Sequence, residues 1–227
     1  SSKGKEVLVV DSDESNYGLH RQLGMELPRD FTEFFGGKQK VLNDIMLSGF
    51  SYKFFSQTWV LSDIPDSCCT KKDGITLMAS GKIHTANEGC ACAMGTVMEQ
   101  FVTHLSLSEE QFALLDMEAG IEHFGRGIDN GVDTVLMVVD PSYESLRLSQ
   151  KIGELAASIN KPIYYVLNKV TDDNYEIMKK SVASPDKIAA VFWQSDDIQK
   201  AGLLGEPLLA PDREALRLSE FLISARK

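Results

Sequence analysis

The sequence has little that would direct it to a membrane or to nucleic acid. No apolar run approaches the ~18 residues that suggest a membrane span, and the N-terminus has no apolar core of the signal-peptide kind. Lysine and arginine form no block, and 33 acidic against 23 basic residues give a formal charge of −10, which argues against binding to a phosphate backbone. We therefore expect a cytoplasmic protein that binds neither membrane nor nucleic acid.

Cysteine is scarce, and its spacing is unlike that of a small secreted domain. The four cysteines occur as Cys68-Cys69 and as Cys90-Ala91-Cys92. In a reducing compartment such close pairs hold metals or stay reduced. For Cys68 and Cys69 we expect buried, unliganded thiols. At 227 residues, with 43% apolar residues, the chain is long enough for one sizeable core, and we expect a single domain over 1–227.

Short apolar runs alternate with helix-like stretches. Each run ends at a polar residue: 7–10 before Asp11, 112–115 before Asp116, 134–139 before Asp140, 163–167 before Asn168, and 188–193 before Gln194. A further run at 75–79 is another candidate strand. Strands that are apolar on both faces predict a mostly parallel α/β sheet with helices on both faces.

Helical spacing is clearest at two places in the second half of the chain. Apolar residues recur at helical intervals between Pro141 and Pro162, and again over 214–226, so we expect helices that cover the sheet there. Residues 28–73 show no clear period and predict mixed helix and loop.

The polar strand ends predict a ligand site. In open α/β sheets, ligands bind where the carboxyl ends of strands meet loops and helix N-termini. Carboxylates at this edge suit phosphate accompanied by Mg²⁺, which takes oxygen ligands and retains waters. The alternative is that an aspartate after a strand is an ordinary helix cap or turn residue. For Asp140, which Pro141 follows, we favour that alternative.

The segment Gly89–Gly95 contains a two-thiolate clip, Cys90 and Cys92. Two sulfurs cannot fill the tetrahedral shell of zinc or a similar soft ion, so further donors must come from elsewhere. A second copy of the chain is the simplest source, which predicts a homodimer that shares one ion.

Four motifs occur in an order that resembles the CooC-type carbon monoxide dehydrogenase maturation ATPases, which are MinD-like and nitrogenase-iron-protein-like P-loop ATPases. They are 9–16 (VVDSDESN), 89–92 (GCAC), 116–123 (DMEAGIEH) and 168–170 (NKV). The resemblance covers nearly the whole chain. It implies an ATPase that dimerises around nucleotide and binds nickel or zinc through paired Cys-x-Cys clips. Such a protein helps to load nickel into carbon monoxide dehydrogenase or acetyl-CoA synthase.

The resemblance also implies residue roles and the cofactors ATP/ADP and Mg²⁺. Asp13 matches the aspartate that positions the attacking water, with Asp11 as the strand-end acid beside it. Asp116 matches the acid that holds a magnesium-bound water, and Gly120 a backbone contact to the γ-phosphate. Asn168 matches the residue that reads the adenine edge. Glu118 and Glu122 are more plausible as partner or switch-helix contacts than as magnesium ligands. His123, at the start of the helix after Gly120, is either functional or makes a local hydrogen bond.

The sequence departs from this family in one respect. The family opens with a strand and a glycine-rich phosphate loop, and by this resemblance the 227 residues begin after both. Gly36-Gly37-Lys38 lacks the spacing and the preceding strand that such a loop requires. We therefore expect the MinD-like fold without its first strand and phosphate loop. A non-catalytic dimeric metal-binding scaffold remains an open alternative.

Overall fold

The computed structural model describes residues 4–84, 92–118, 120–121, 127–208 and 213–225. Contacts divide the chain into two units, 1–131 and 132–227. The expectation of a single domain therefore stays a prediction.

The first unit contains a four-stranded sheet in which parallel pairing dominates. Its strands are β1 (Glu6–Asp11), β2 (Cys69–Lys72), β3 (Ile75–Ala79) and β4 (Gln111–Asp116), in the order β2-β3-β1-β4. Strand β1 pairs in parallel with β3 and β4, whereas β2 returns antiparallel to β3. Leu8, Val9 and Val10 are buried, as expected for a strand between two parallel neighbours. The carboxyl ends of β1, β3 and β4 therefore share one edge.

Helices and an aromatic cluster form the rest of the first unit. The helices are α1 (Leu19–Gln22), α2 (Lys38–Leu47) and α3 (Cys92–His104), with 3-10 turns at Phe31–Phe35, Leu61–Asp63, Asp66–Cys68 and Ile128–Gly131. The Phe31 ring is fully buried and lies 5.2 Å from the Phe101 ring of α3. Phe55 packs edge-on against Trp59 with ring centroids 5.0 Å apart. Aromatic packing thus organises a region whose sequence shows no helical period.

The second unit contains a wholly parallel sheet, β5 (Val135–Val139), β6 (Ile163–Val170) and β7 (Ile188–Trp193), in that order. Its helices are α4 (Tyr143–Ser158), α5 (Tyr175–Ser181), α6 (Asp196–Leu204) and α7 (Arg213–Ala225), with a 3-10 turn at Pro185–Lys187. Ser142 caps α4 by accepting a hydrogen bond from the N–H of Ser145. The ring of Phe221 in α7 packs edge-on against Tyr164 of β6, with centroids 4.7 Å apart.

The predicted strands are confirmed, as are the helices predicted between Pro141 and Pro162 and over 214–226, with shifts of a residue or so at most ends. The antiparallel strand β2 was not predicted, because its lysines are exposed and it has no apolar run. Strand β6 also continues to Val170, three residues beyond Leu167, where the prediction ended it.

Candidate functional site

Two aspartates lie side by side at the carboxyl edge of the first sheet. Asp11 ends β1 and Asp116 ends β4, and the two are paired in the register of these parallel strands. The N–H of Ser12 donates a 2.9 Å hydrogen bond to the carbonyl oxygen of Asp116, which extends the ladder past the strand ends. The segment 11–17, which starts at the last residue of β1 and is here called the acidic loop, thus begins beside Asp116.

Asp11 is buried against a lysine that the sequence analysis missed. Its side chain is 2% exposed, and Oδ1 lies 2.7 Å from Lys82 Nζ. The pair has poor hydrogen-bond geometry, since Asp11 Oδ1 makes no hydrogen bond of ordinary angle among the described residues. Burial raises the pKa of Asp11, and the charge of Lys82 opposes that rise only in part. The sequence feature that could have identified this residue is a lysine that lies soon after the apolar strand β3.

Asp13 organises the acidic loop from within. Its Oδ1 accepts hydrogen bonds from the N–H of Ser15 at 2.9 Å, from Oγ of Ser15 at 2.7 Å and from the N–H of Asn16 at 3.2 Å. Burial acts to raise the pKa of Asp13, but these hydrogen bonds and the charge of Lys82 outweigh it and lower the pKa. Asp13 is therefore ionised and held in place, and these bonds use only one of its two oxygens.

Asp116 carries a charge that the described residues compensate poorly. Burial raises its pKa, and the carboxylates of Asp11 and Asp13 raise it further, with only Lys82 acting in the opposite direction. The acidic residues at this edge thus have more negative charge than one lysine neutralises. The arrangement fits a hard cation that would lower these pKa values.

The carboxylates do not form a complete cage. Among the described residues, no three Asp, Glu, His or Cys side chains are grouped closely enough to hold a metal ion by themselves. The two carboxylates Asp11 and Asp116 by themselves suit Mg²⁺, because Mg²⁺ keeps several waters and is bound through one or two carboxylates together with substrate phosphates.

Phosphate groups fit the described residues less well than Mg²⁺ does. Gly36 and Gly37 follow a 3-10 turn, and Lys38 points its ammonium group at the carbonyl oxygen of Lys82 and lies 3.7 Å from Asp30 Oδ2. This glycine pair is therefore no phosphate loop, as the sequence predicted.

The other residues predicted on the first unit are only partly described. Gly120 lies in a half-buried bend beyond β4, and Glu118 is exposed. The predicted helix after Gly120, with Glu122 and His123, lies outside the described residues. Cys90 also lies outside the described residues. Cys92 begins α3, but the described part of the structure does not include its side chain.

Asn168 lies in the second unit and is held by a neighbouring aspartate. Its Nδ2 donates a 2.9 Å hydrogen bond to Asp140 Oδ1, and Lys169 Nζ donates to Asp140 Oδ2 at 2.5 Å. Of the two ordinary roles expected for Asp140, helix cap or turn residue, the cap of α4 belongs to Ser142, while the carbonyl oxygen of Asp140 accepts a 2.7 Å hydrogen bond from the N–H of Ser142 in a tight turn. Lys169 has a φ of +53°, and the register of β6 against β7 shifts between Leu167 and Val170. Such bulges re-aim side chains near binding sites.

The thiols Cys68 and Cys69 are buried, as expected for this pair, and form no disulfide. Burial raises the pKa of Cys69 and so keeps it protonated. In the part of the chain that the structure describes, no helix is long and apolar enough to cross a membrane.

Comparison with known proteins agrees with this architecture. No model of a known protein family matches the chain. The chain is 40% identical to an uncharacterized ATP-binding protein of Methanocaldococcus jannaschii, over 98% of this chain and 90% of that protein. It is 35% identical to the carbon monoxide dehydrogenase accessory protein CooC of Rhodospirillum rubrum over 63% of this chain, a match that covers 50% of that protein.

Solved structures show the same fold at lower identity. The septum site-determining protein MinD of Pyrococcus horikoshii, complexed with Mg-ADP, has a TM-score of 0.65 at 16% identity and covers 97% of this chain and 84% of its own. A ParA family ATPase of Chlorobium tepidum has a TM-score of 0.59 at 18% identity, with 97% and 85% covered. The predicted mostly parallel α/β fold of MinD type is thus confirmed. The chain belongs to the family of the archaeal ATP-binding protein that it matches over nearly its whole length, on a MinD-like P-loop NTPase fold.

Proposed function

We propose that this protein, in a form that also carries a glycine-rich phosphate loop, is an ATP-dependent maturation factor that inserts nickel into carbon monoxide dehydrogenase or acetyl-CoA synthase. The observation that carries the proposal is the paired, under-compensated acids Asp11 and Asp116 beside the ordered acidic loop, on a fold shared with ATPases. The likeness to CooC supports the maturation role. The Cys-x-Cys clip supplies the metal chemistry that this role needs.

On the nucleotide side, Asp13 and Asp116 are the proposed catalytic residues. Asp116 and Asp11 would hold the waters of a Mg²⁺ ion, which neutralises phosphate charge when it is bound. Asp13 keeps one carboxylate oxygen outside its loop hydrogen bonds, so it can orient a water. Gly120 would approach the phosphates through its backbone, and Asn168 would contact the adenine.

On the metal side, Cys90 and Cys92 from two chains would bind one Ni²⁺ or Zn²⁺ ion as cargo. Four thiolates complete a tetrahedral shell, and a two-fold axis provides them without further sequence. Metal and dimer are then linked.

Metal titration combined with the mass in solution tests this proposal. We expect one ion per two chains in the wild type, with both ion and dimer lost in Cys90→Ser/Cys92→Ser. The matched control is Cys68→Ser/Cys69→Ser, whose buried thiols should leave the stoichiometry unchanged. One ion per monomer that depends on Cys68 or Cys69 contradicts the shared site. A form of the protein that carries a phosphate loop, added with Mg-ATP and nickel to an apo carbon monoxide dehydrogenase, should raise the activity of that enzyme.

A non-catalytic dimeric metal-binding scaffold is the second candidate. It is favoured by the absence of a glycine-rich phosphate loop from the 227 residues and by the surplus of negative charge at the acidic loop, which repels phosphates. The two candidates differ in one measurement. A maturation ATPase shows nucleotide-dependent delivery of nickel, whereas a scaffold binds metal and dimerises with no response to ATP.

A further inference from the structure

One buried lysine near the acidic loop has no role in the proposed function. Lys82 follows β3 by three residues, and its side chain is 0% exposed. Burying an ammonium group is costly unless its charge and its N–H donors are satisfied. The acidic loop supplies both a counter-charge, from Asp11, and two carbonyl oxygens that accept hydrogen bonds from Lys82.

The ammonium group of Lys82 is surrounded by oxygens of that loop. Nζ lies 2.7 Å from Asp11 Oδ1, donates a 2.6 Å hydrogen bond to the carbonyl oxygen of Asp13, and donates another to the carbonyl oxygen of Asn16. The Tyr17 ring lies 5.8 Å from Nζ. Because an ammonium group has three N–H donors, one nitrogen atom can contact several oxygens at once. Lys82 Nζ thereby contacts both ends of the acidic loop.

The next residue reinforces this attachment. The N–H of Ile83 donates a 3.1 Å hydrogen bond to the carbonyl oxygen of Glu14. In return, Tyr17 Oη donates to the carbonyl oxygen of Ile83 at 2.5 Å. The acidic loop is thus joined to residues 82–83 at its start, its middle and its end.

Lys82 is itself anchored on the opposite side. Its own N–H donates to Asp30 Oδ2 at 3.1 Å, and its carbonyl oxygen accepts from Lys38 Nζ. Asp30 is buried, and its Oδ2 also lies 3.1 Å from His84 Nε2. The backbone of Lys82 is therefore held by groups that do not belong to the acidic loop. Its side chain can for this reason restrain the position of that loop.

We propose that Lys82 is a positioning residue, which holds the acidic loop in one shape so that Asp11 and Asp13 stand beside Asp116 before any nucleotide binds. This inference rests on the proposed function only for the identity of the ligand that the three aspartates bind. Charge compensation of Asp11 alone would need one contact, whereas Lys82 also binds two backbone carbonyls of the loop. The lysine touches no reacting group and acts through the aspartates.

Amide hydrogen exchange measures the shape of the loop directly. The reporters are the N–H groups of Ser15, Asn16 and Ile83, which donate within this network. In Lys82→Ala we expect their exchange to accelerate by about tenfold or more while the amides of α3 keep their protection. The atoms removed correspond to n-propylammonium, so this cation should restore protection in Lys82→Ala. It should not do so in Lys82→Met, where the methionine side chain fills the space.

The control is Lys71→Met, since Lys71 pairs with Asp66 on the surface and should leave the loop unchanged. If Lys82→Ala fails to fold, Tyr17→Phe removes only the hydroxyl bond to Ile83, and loop exchange should still accelerate. Unchanged exchange in the folded variants, or equal restoration in Lys82→Ala and Lys82→Met, would overturn the proposal. No nucleotide enters these measurements. If the shape of the loop depends on Lys82 but the protein binds no ATP, only the proposed function is contradicted. If the protein binds ATP but the shape of the loop does not depend on Lys82, only the positioning role of Lys82 is contradicted.

Discussion

Replacing Asp116 by asparagine should stabilise the nucleotide-free protein at neutral pH. Burial and the neighbouring carboxylates of Asp11 and Asp13 raise the pKa of Asp116. A carboxyl group whose pKa rises on folding contributes stability below its unfolded pKa and loses it as the pH rises through the folded value. At pH 7 the charged Asp116 therefore costs free energy of folding, and an uncharged amide of the same shape does not.

The expected gain follows from the geometry of the strand ends. Neighbouring strands lie ~4.8 Å apart, and two unit charges at that separation repel by about 3 kcal/mol at an effective dielectric constant of about 20. Lys82, 2.7 Å from Asp11, offsets part of this repulsion. We expect a net gain of about 1–2 kcal/mol. For a chain of this size, such a gain raises Tm by about 2–8 °C.

Thermal unfolding followed by circular dichroism, without divalent cations, measures this effect. The control is Asp140→Asn: that aspartate also follows a strand but is bonded to Asn168 and Lys169. Because the Asp140–Lys169 pair is largely exposed, the control should lose no more than about 1 kcal/mol. The gain in Asp116→Asn should vanish below the ordinary aspartate pKa of 3.8, where both forms are uncharged. A Tm equal to or below that of the wild type at pH 7, or a gain that persists in acid, would refute the reasoning.

Three further predictions concern the same acids and the metal clip. Lys82→Met should have the opposite sign to Asp116→Asn, because it leaves the buried carboxylate of Asp11 without its counter-charge, and urea unfolding should show a loss of about 3 kcal/mol. The purified 227-residue chain should hydrolyse ATP negligibly, since no glycine-rich loop cradles the phosphates; magnesium-dependent phosphate release that Asp116→Asn abolishes would contradict this. Metal affinity at Cys90 and Cys92 should fall as the pH drops towards and below neutrality, because binding displaces thiol protons; a pH-independent affinity in a competition titration would exclude thiolate ligands.

The strands and the position of the acids could be predicted from the sequence because both depend on local patterns. Apolar runs such as 7–10 and 112–115 mark strands that are buried on both faces, and a polar residue marks where each one ends. Carboxyl ends of parallel strands meet at one edge, so the proximity of Asp11 and Asp116 followed without further information. The clip of Cys90 and Cys92 is also a pattern of neighbouring residues in the sequence, and its role in metal binding stays a prediction.

What only the tertiary structure decided is which distant groups satisfy the buried charges. Lys82 donates to Asp13, 69 residues earlier in the chain, and Asp30 accepts the N–H of Lys82 across 52 residues. Asn168 and Asp140 pair across 28 residues. Hydrophobic periodicity reports which face of an element is buried, but it carries no information on which polar partner folding brings to that face. The charge balance of the acidic loop therefore became visible only when β1, β3 and β4 were placed side by side.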